Sequence, residues 1–543
     1  MHRSRQSAST RWAVVAVAVL AVGSTLLSAC GSGGSSDDGT PAGAAPKSGG
    51  TLTFAVGSDV GCVDPQQVGS NDTVYSTRQI VDSLTDQDPT TGKIVPWLAQ
   101  SWQISPDAKA FTFHLKPGVT FSDGTPLTAQ VVKDNFEVIP KLGTLAQLGA
   151  GYLAGYAGSK AIDDRTIEVD FQQSNAQFLQ ATSTFSLGIV SAASVRKTPQ
   201  ARCRDGVIGS GPFVLSKYVP SQSISLKKRT GYTWGSSLFS KSGDAYLDAL
   251  EFKVVPEAGV RTSSLQTGQV DAIGAVAQAD ESSLRASGVQ LAARANPGVP
   301  FGLSFNNAKA PFSDPNVRKA IGLAINRQQI VDTVFPTGTK PATSVLARTT
   351  PGYVDLSSTL AFDKAKAGSL LDAAGWKLGA DGIRQKNGTP LAVTITWFTN
   401  AATNQPALEL IQQQLKAVGI KIDLKQLQIA QIAQVLTGGG FEVLWGNVTR
   451  ADPDILRSQF STKGLNAYKI PATGLDTVLV QQAAEPDATK RAALVAQAQR
   501  LIVNNAYVVP VVELETELGV GKNVHDLRFE ASSRIQLHDT WKN

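Results

Sequence analysis

The chain has 543 residues, of which 42% are hydrophobic and 17% charged, and its formal net charge is +6. That composition is ordinary for a globular protein, and the length allows two or more domains with sizeable cores. The charge is too mild for a nucleic-acid partner or a polybasic membrane patch. The first residues carry Arg3, Arg5 and Arg11, then the apolar run Ala13 to Val22, which Gly23, Ser24 and Thr25 interrupt. This is the layout of an export signal, and the run falls short of the roughly 20 apolar residues that a spanning helix needs. Loss of residues 1–29 leaves 514 residues and a formal charge of about +3.

The stretch Leu27-Ser28-Ala29-Cys30 resembles a bacterial lipobox, which implies cleavage before Cys30 and diacylation of its thiol. The alternative is an ordinary signal peptide whose cleavage site abuts a cysteine. Residues 30–50 contain no apolar side chain larger than alanine or proline after Cys30, so they are expected to be a flexible tether. Two further cysteines, Cys62 and Cys203, would reach an oxidising compartment and are expected to pair; two buried thiols are the alternative. Few histidines remain and none has metal-ligand spacing, so no metal or cofactor is expected.

From Thr51 the alternation of Leu52, Phe54 and Val56 predicts a strand, and a helix is expected over Thr73–Leu84. Two alternating runs between Trp102 and Leu115, joined at Pro106-Asp107, predict a hairpin, and Thr128 reads as the N-cap of a helix bearing Val132 and Phe136. Asp314-Pro315 opens a helix through Val317, Ile321 and Ala324. Asn404 and Pro406 open another, which Gly419 ends before the alternating Ile420, Ile422 and Leu424. Ala488–Val503 is expected to be a helix and Tyr507–Val512 a buried strand, at an edge or bend because of Pro510. The pattern is that of a mixed α/β protein of two lobes.

The segment from Trp102 to Val132, WQISPDAKAFTFHLKPGVTFSDGTPLTAQVV, carries a spaced series of aromatic, Gly, Pro and Asp positions. Gly209-Ser-Gly-Pro-Phe213, Leu265-Gln-Thr-Gly-Gln-Val-Asp271, Phe305 to Ala320, Leu370 to Gly375, and Trp445 with Asp452-Pro453 follow in order. Together they resemble the family-5 extracellular solute-binding proteins of ABC importers, the group that binds oligopeptides, dipeptides and nickel. The resemblance implies a two-lobe periplasmic-binding-protein-like fold of the large peptide-binding type (class II), with a hinge between the lobes. Lobe I is expected over 51–87, 206–298 and 513–543 with a subdomain at 88–205, and lobe II over 299–512. It further implies a monomeric, lipid-anchored protein on the outer face of the bacterial cell membrane. Its partners would be a peptide or small polar solute and the permease subunits of an importer. Taken singly, the motifs have a structural role: Gly209–Phe213 and Asp123–Pro126 as turns, Phe111, Phe113 and Phe121 as core.

Peptide-binding members carry an aspartate three residues after the tryptophan that corresponds to Trp445, and here Val448 or Thr449 stands in its place. Dipeptide-type members place an arginine in the loop after the residue corresponding to Trp397, where this chain reads Thr399 to Asn404 without one. Candidate lining residues are therefore Tyr75, Trp397, Asn404, Trp445, Asn447 and Thr449, aromatic faces with neutral hydrogen-bonding groups. Arg450 is either a partner for a ligand carboxylate or one half of a surface salt bridge. The chain lacks Gly-x-Ser-x-Gly, a Walker loop, His-Glu-x-x-His and Cys-x-x-Cys, so an exported hydrolase is the weaker alternative, beside a sensory or chaperone lipoprotein.

Overall fold

The apolar alternation beginning at Leu52 places Thr51–Val56 inside a seven-stranded sheet, parallel to both Ala249–Val254 and Ala272–Gly274. In this computed structural model residues 45–398, 401, 403–428 and 431–543 are described. The expected export signal 1–29, Cys30, the tether up to residue 44, and positions 399, 400 and 402 lie outside them. Residues 46–543 form one compact unit. No helix among the described residues is long and apolar enough to cross a membrane.

The large sheet runs Gln290–Ala295, Glu515–Val520, Ala272–Gly274, Thr51–Val56, Ala249–Val254, Ser223–Lys228, Phe213–Val219. A separate five-stranded sheet runs Lys421–Leu427, Ala392–Phe398, Val443–Thr449, Gly298–Phe305, Val508–Val512. Each sheet has its own buried core, with Phe54, Phe252 and Leu518 under the first and Phe305, Ile395 and Ile411 under the second. That makes a mixed α/β fold of two lobes. A four-stranded antiparallel sheet, Ala99–Ile104 to Asp163 at its edges, buries Phe111, Phe113 and Phe121 in a third cluster.

Local signals act as the sequence indicates at most boundaries. Thr128 accepts a hydrogen bond from Val131 N at the head of Ala129–Lys141, and Asp314 caps Pro315–Ala324 through Asn316 N. Pro510 sits in the edge strand Val508–Val512, where its missing N–H leaves no ladder bond unmade. The helix expected over Thr73–Leu84 is shorter: Asn71–Thr77 passes into a 3₁₀ turn at Arg78–Ile80, and the chain is extended from Val81. The Gly209–Phe213 turn explains the stop. Gly211 N donates to Ile80 O at 2.9 Å, and a Cβ on Gly209 would stand 2.0 Å from that same oxygen. Only a glycine lets the turn approach closely enough to take the carbonyl out of the helix. Cys62 and Cys203 are joined in a disulfide that ties the loop after the first strand to the helix Pro199–Asp205.

Candidate functional site

The chain passes between the two sheets twice, and both passages are short. Gln290–Ala295 leads through Asn296-Pro297 into Gly298–Phe305, and Val508–Val512 leads through Glu513-Leu514 into Glu515–Val520. The passages are bonded to each other, Asn296 N to Leu514 O at 2.7 Å and Thr516 Oγ1 to Asn296 Oδ1 at 2.7 Å. Glu513 is buried there. Desolvation pushes its carboxyl up against the opposing charge of Arg348, which donates to it at 3.0 Å.

Gly298 fixes what lies next to this crossing. Its φ is +109°, and a Cβ there would stand 2.2 Å from Val448 O and 2.7 Å from Arg450 N. Arg450 N in turn donates to Pro297 O at 3.0 Å. The end of the strand Val443–Thr449 is thereby held against the crossing, and Arg450 is delivered to the seam between the lobes.

Period-two alternation sorts the candidate residues on that strand. Val443 and Trp445 enter the lobe II core, while Asn447 and Thr449 continue the same face as half-buried residues with no side-chain hydrogen bond among the described residues. Trp445, 1% exposed, stacks on Phe301 at 5.4 Å and donates through Nε1 to Asn404 Oδ1 at 2.9 Å. Asn404 donates on to Phe398 O at 3.0 Å, and Trp397 is packed into the same core. Thus Trp397, Asn404 and Trp445 form a buried brace for the two strands. An indole satisfied by a neighbouring amide is a stable way to bury its one donor. Asp452 is also committed, taking two bonds from Arg491 at 2.9 and 2.6 Å.

Tyr75 lies on Asn71–Thr77 in the buried cluster under the large sheet, 5.6 Å from Phe54. Burial and the nearby Asp72 raise its phenol pKa, with Arg534 acting in the opposite direction. Its hydroxyl makes no hydrogen bond among the described residues.

Arg450 is no surface salt bridge. It is 9% exposed, its guanidinium lies 4.5 Å from the centre of the Tyr152 ring, and its Nε has no hydrogen-bond partner among the described residues. Tyr152 and Arg534 escaped the sequence reading. Tyr152 sits in a Gly-rich stretch without periodicity, and Arg534 in a short polar turn; no local pattern distinguishes either. A separate cavity of about 170 Å³ lies within lobe I, beside Arg78, Asp86, Trp97 and Phe239. Its charges are spoken for: Arg78 pairs with Glu530 at 2.9 Å and Ser236 donates to Asp86. Among the described residues no group of three or more His, Cys, Asp or Glu is placed to hold a metal ion.

The family model for bacterial extracellular solute-binding proteins, family 5, matches residues 93–467. A probable D,D-dipeptide-binding periplasmic protein of Escherichia coli strain K12 is 26% identical over 494 residues, 88% of this chain and 91% of that protein. A glutathione-binding protein of Escherichia coli O1:K1 / APEC is 27% identical over 398 residues, 72% of each chain. In fold, NikA from Brucella suis, solved in complex with Fe(III)-EDTA, superposes with a TM-score of 0.80 at 22% identity, covering 91% of this chain and 100% of that one.

Proposed function

The chain belongs to the bacterial extracellular solute-binding proteins of family 5, and we propose that it captures a peptide or other small polar solute between its lobes and delivers it to the permease of an ABC importer. Its work is binding, as in the family and its structural neighbours, and not catalysis. The observation that carries the reading is the pair of short, mutually bonded crossings between two separately cored sheets. Two such connections let the lobes rotate against each other while each core stays intact, so a solute that contacts both lobes favours the closed arrangement.

On this proposal lobe I comprises 51–87, 206–298 and 513–543 with its subdomain at 88–205, and lobe II comprises 299–512. Asn447, Thr449 and Tyr75 face the solute with unsatisfied polar groups, and Trp397, Asn404 and Trp445 hold the strands that present them. Cys30 carries the lipid that tethers a monomer to the outer face of the membrane through residues 30–50.

Native mass spectrometry of the intact chain, purified without denaturation, tests the reading. One retained solute per chain is expected, together with loss of residues 1–29 and a diacylglyceryl mass on Cys30 that Cys30→Ser abolishes. A bare protein that also shows no thermal shift with peptide and polar-solute panels would overturn capture. An unmodified Cys30 would overturn the anchor alone.

A further inference from the structure

We infer that Arg450 and Arg534 form a two-lobe clamp for an oxyanion, so that the captured solute carries a carboxylate or a phosphate. The inference rests on the capture reading above and specifies the chemistry of the same site.

A buried guanidinium is costly unless it is paired or its N–H groups are all bonded. Most buried arginines of this protein meet that requirement. Arg202 pairs with Asp64 at 2.8 Å and Arg78 with Glu530. Arg327 has no acid and falls short only at Nη2, which has no partner among the described residues, while its other nitrogens donate to the carbonyls of Pro510, Gly322, Ile325 and Leu360. Arg318 donates likewise to those of Phe312, Ala506 and Asn505.

Arg450 and Arg534 do not meet it. They are 9% and 7% exposed, neither makes an ion pair among the described residues, and the Nε of each is buried without a hydrogen-bond partner. Arg450 bonds the Tyr152 hydroxyl, and Arg534 Nη1 donates to Ser532 O at 3.2 Å within its own turn; neither partner is an acid. The acids that share their surroundings are engaged elsewhere, Asp452 with Arg491 and Glu530 with Arg78.

Both guanidiniums rest on aromatic rings from adjoining elements. Arg450 lies over Tyr152 at 4.5 Å and Arg534 over Phe185 at 5.2 Å. The helix bearing Tyr152 is pressed against the turn bearing Phe185, where a Cβ on Gly149 would stand 2.8 Å from Ser186 O. The charges of both arginines act on the Tyr152 phenol, opposing the upward push of burial. Arg450 comes from lobe II and Arg534 from the C-terminal segment that packs on lobe I, where Gln79 bonds Ile535 O and Leu537 N. Two buried cations, neither with an ion pair among the described residues, thus bear on the same ring, one from each lobe. Guanidinium forks match the oxygens of a carboxylate or a phosphate.

The test uses the intact chain with R450Q and R534Q. Native mass spectrometry with fragmentation identifies the retained solute, and calorimetry with tetraalanine, tetraalanine amide and inorganic phosphate separates the two sources of oxyanion. We expect the retained solute to be an acid, and either Gln variant to bind the acidic ligand about ten- to a hundredfold more weakly. R450K and R534K, which keep the charge without the fork, should fall between. The ligand-free Tm of each Gln variant should match or exceed that of the unsubstituted chain, because an unpaired buried charge is gone. A neutral retained solute, unchanged affinity in both variants, or a lower ligand-free Tm in both would overturn the clamp and leave capture standing. A chain that retains nothing and binds none of the three probes would overturn capture itself, and the clamp with it.

Discussion

Glu517 gives the sharpest prediction for stability. It is the third residue of Glu515–Val520, the strand that directly follows the second crossing, and lies opposite Ala293 in the neighbouring strand. Burial pushes its carboxyl up to about 7, Glu281 and Glu515 add to the rise, and Arg285 opposes it. Its Oε2 is buried without a partner among the described residues, whereas Glu281 accepts from Thr337 N at 2.8 Å and Glu515 from Thr339 Oγ1 at 3.2 Å. Because the folded pKa lies above the ordinary glutamate value of 4.5, the folded state holds this proton more tightly than the unfolded state. The resulting stability is fully present below the unfolded pKa and is lost as pH rises through the folded value, which places the window at about pH 4.5 to 7. At roughly 1.36 kcal/mol per unit the ceiling is ~3 kcal/mol. Solvent at the rim and relaxation of the two neighbouring acids reduce this to ~1–2 kcal/mol. Glu517→Gln mimics the protonated acid and so escapes the loss. At roughly 2.1 cal/mol/K per residue, a body of this size converts 1 kcal/mol into about 1 °C. Thermal melts of the unsubstituted and E517Q chains should therefore coincide near about pH 5 and separate on going to about pH 8, with the variant ~1–2 °C higher. A difference that does not change with pH, or a variant that melts lower at the alkaline end, would refute the argument.

Three further outcomes follow from the site. Asp452→Asn should lower stability by about 3 kcal/mol in denaturant titration, since it leaves Arg491 facing a neutral amide in a buried setting. Gly298→Ala should lower stability by about 1–3 kcal/mol and weaken solute binding as well, because a Cβ 2.2 Å from Val448 O forces the crossing away from the strand that delivers Arg450. Asn447→Ala combined with Thr449→Ala should leave the melting curve within about 0.5 kcal/mol of its starting value, as for surface substitutions, while calorimetry shows weaker capture of the native solute.

The fold was legible where one residue's chemistry decides a local outcome. Thr128 and Asp314 cap helices because their side chains reach unpaired N–H groups, and Gly419, at φ +86°, turns the chain from helix Asn404–Lys416 into strand Lys421–Leu427. The over-long helix at Thr73 shows the opposite case. Nothing between Thr77 and Leu84 forbids helix; what ends it is a carbonyl captured by Gly211, more than a hundred residues downstream. Periodicity carries no information about such a partner.

The same distinction divides the candidate site. The motif around Trp445 lies on the strand beside the crossing, yet the aromatic residues that make it conspicuous are the ones the core absorbs. An indole or phenyl ring has a large apolar area to bury, so Trp445 anchors in the core the strand face that Asn447 and Thr449 continue beyond it. The residues left with unmet chemistry are instead ones that look ordinary in sequence. Arg534 is one basic residue among fifty Lys and Arg, and it becomes exceptional only when burial removes its water and the nearby acids are already paired. On the clamp proposed above, such a charge is defined by what its neighbours fail to supply, and those neighbours are far apart in the chain: Tyr152, Phe185, Arg450, and Arg534 in the last ten residues. For that reason the scaffold can be read from local patterns, while the specificity of the seam emerges only from the assembled fold.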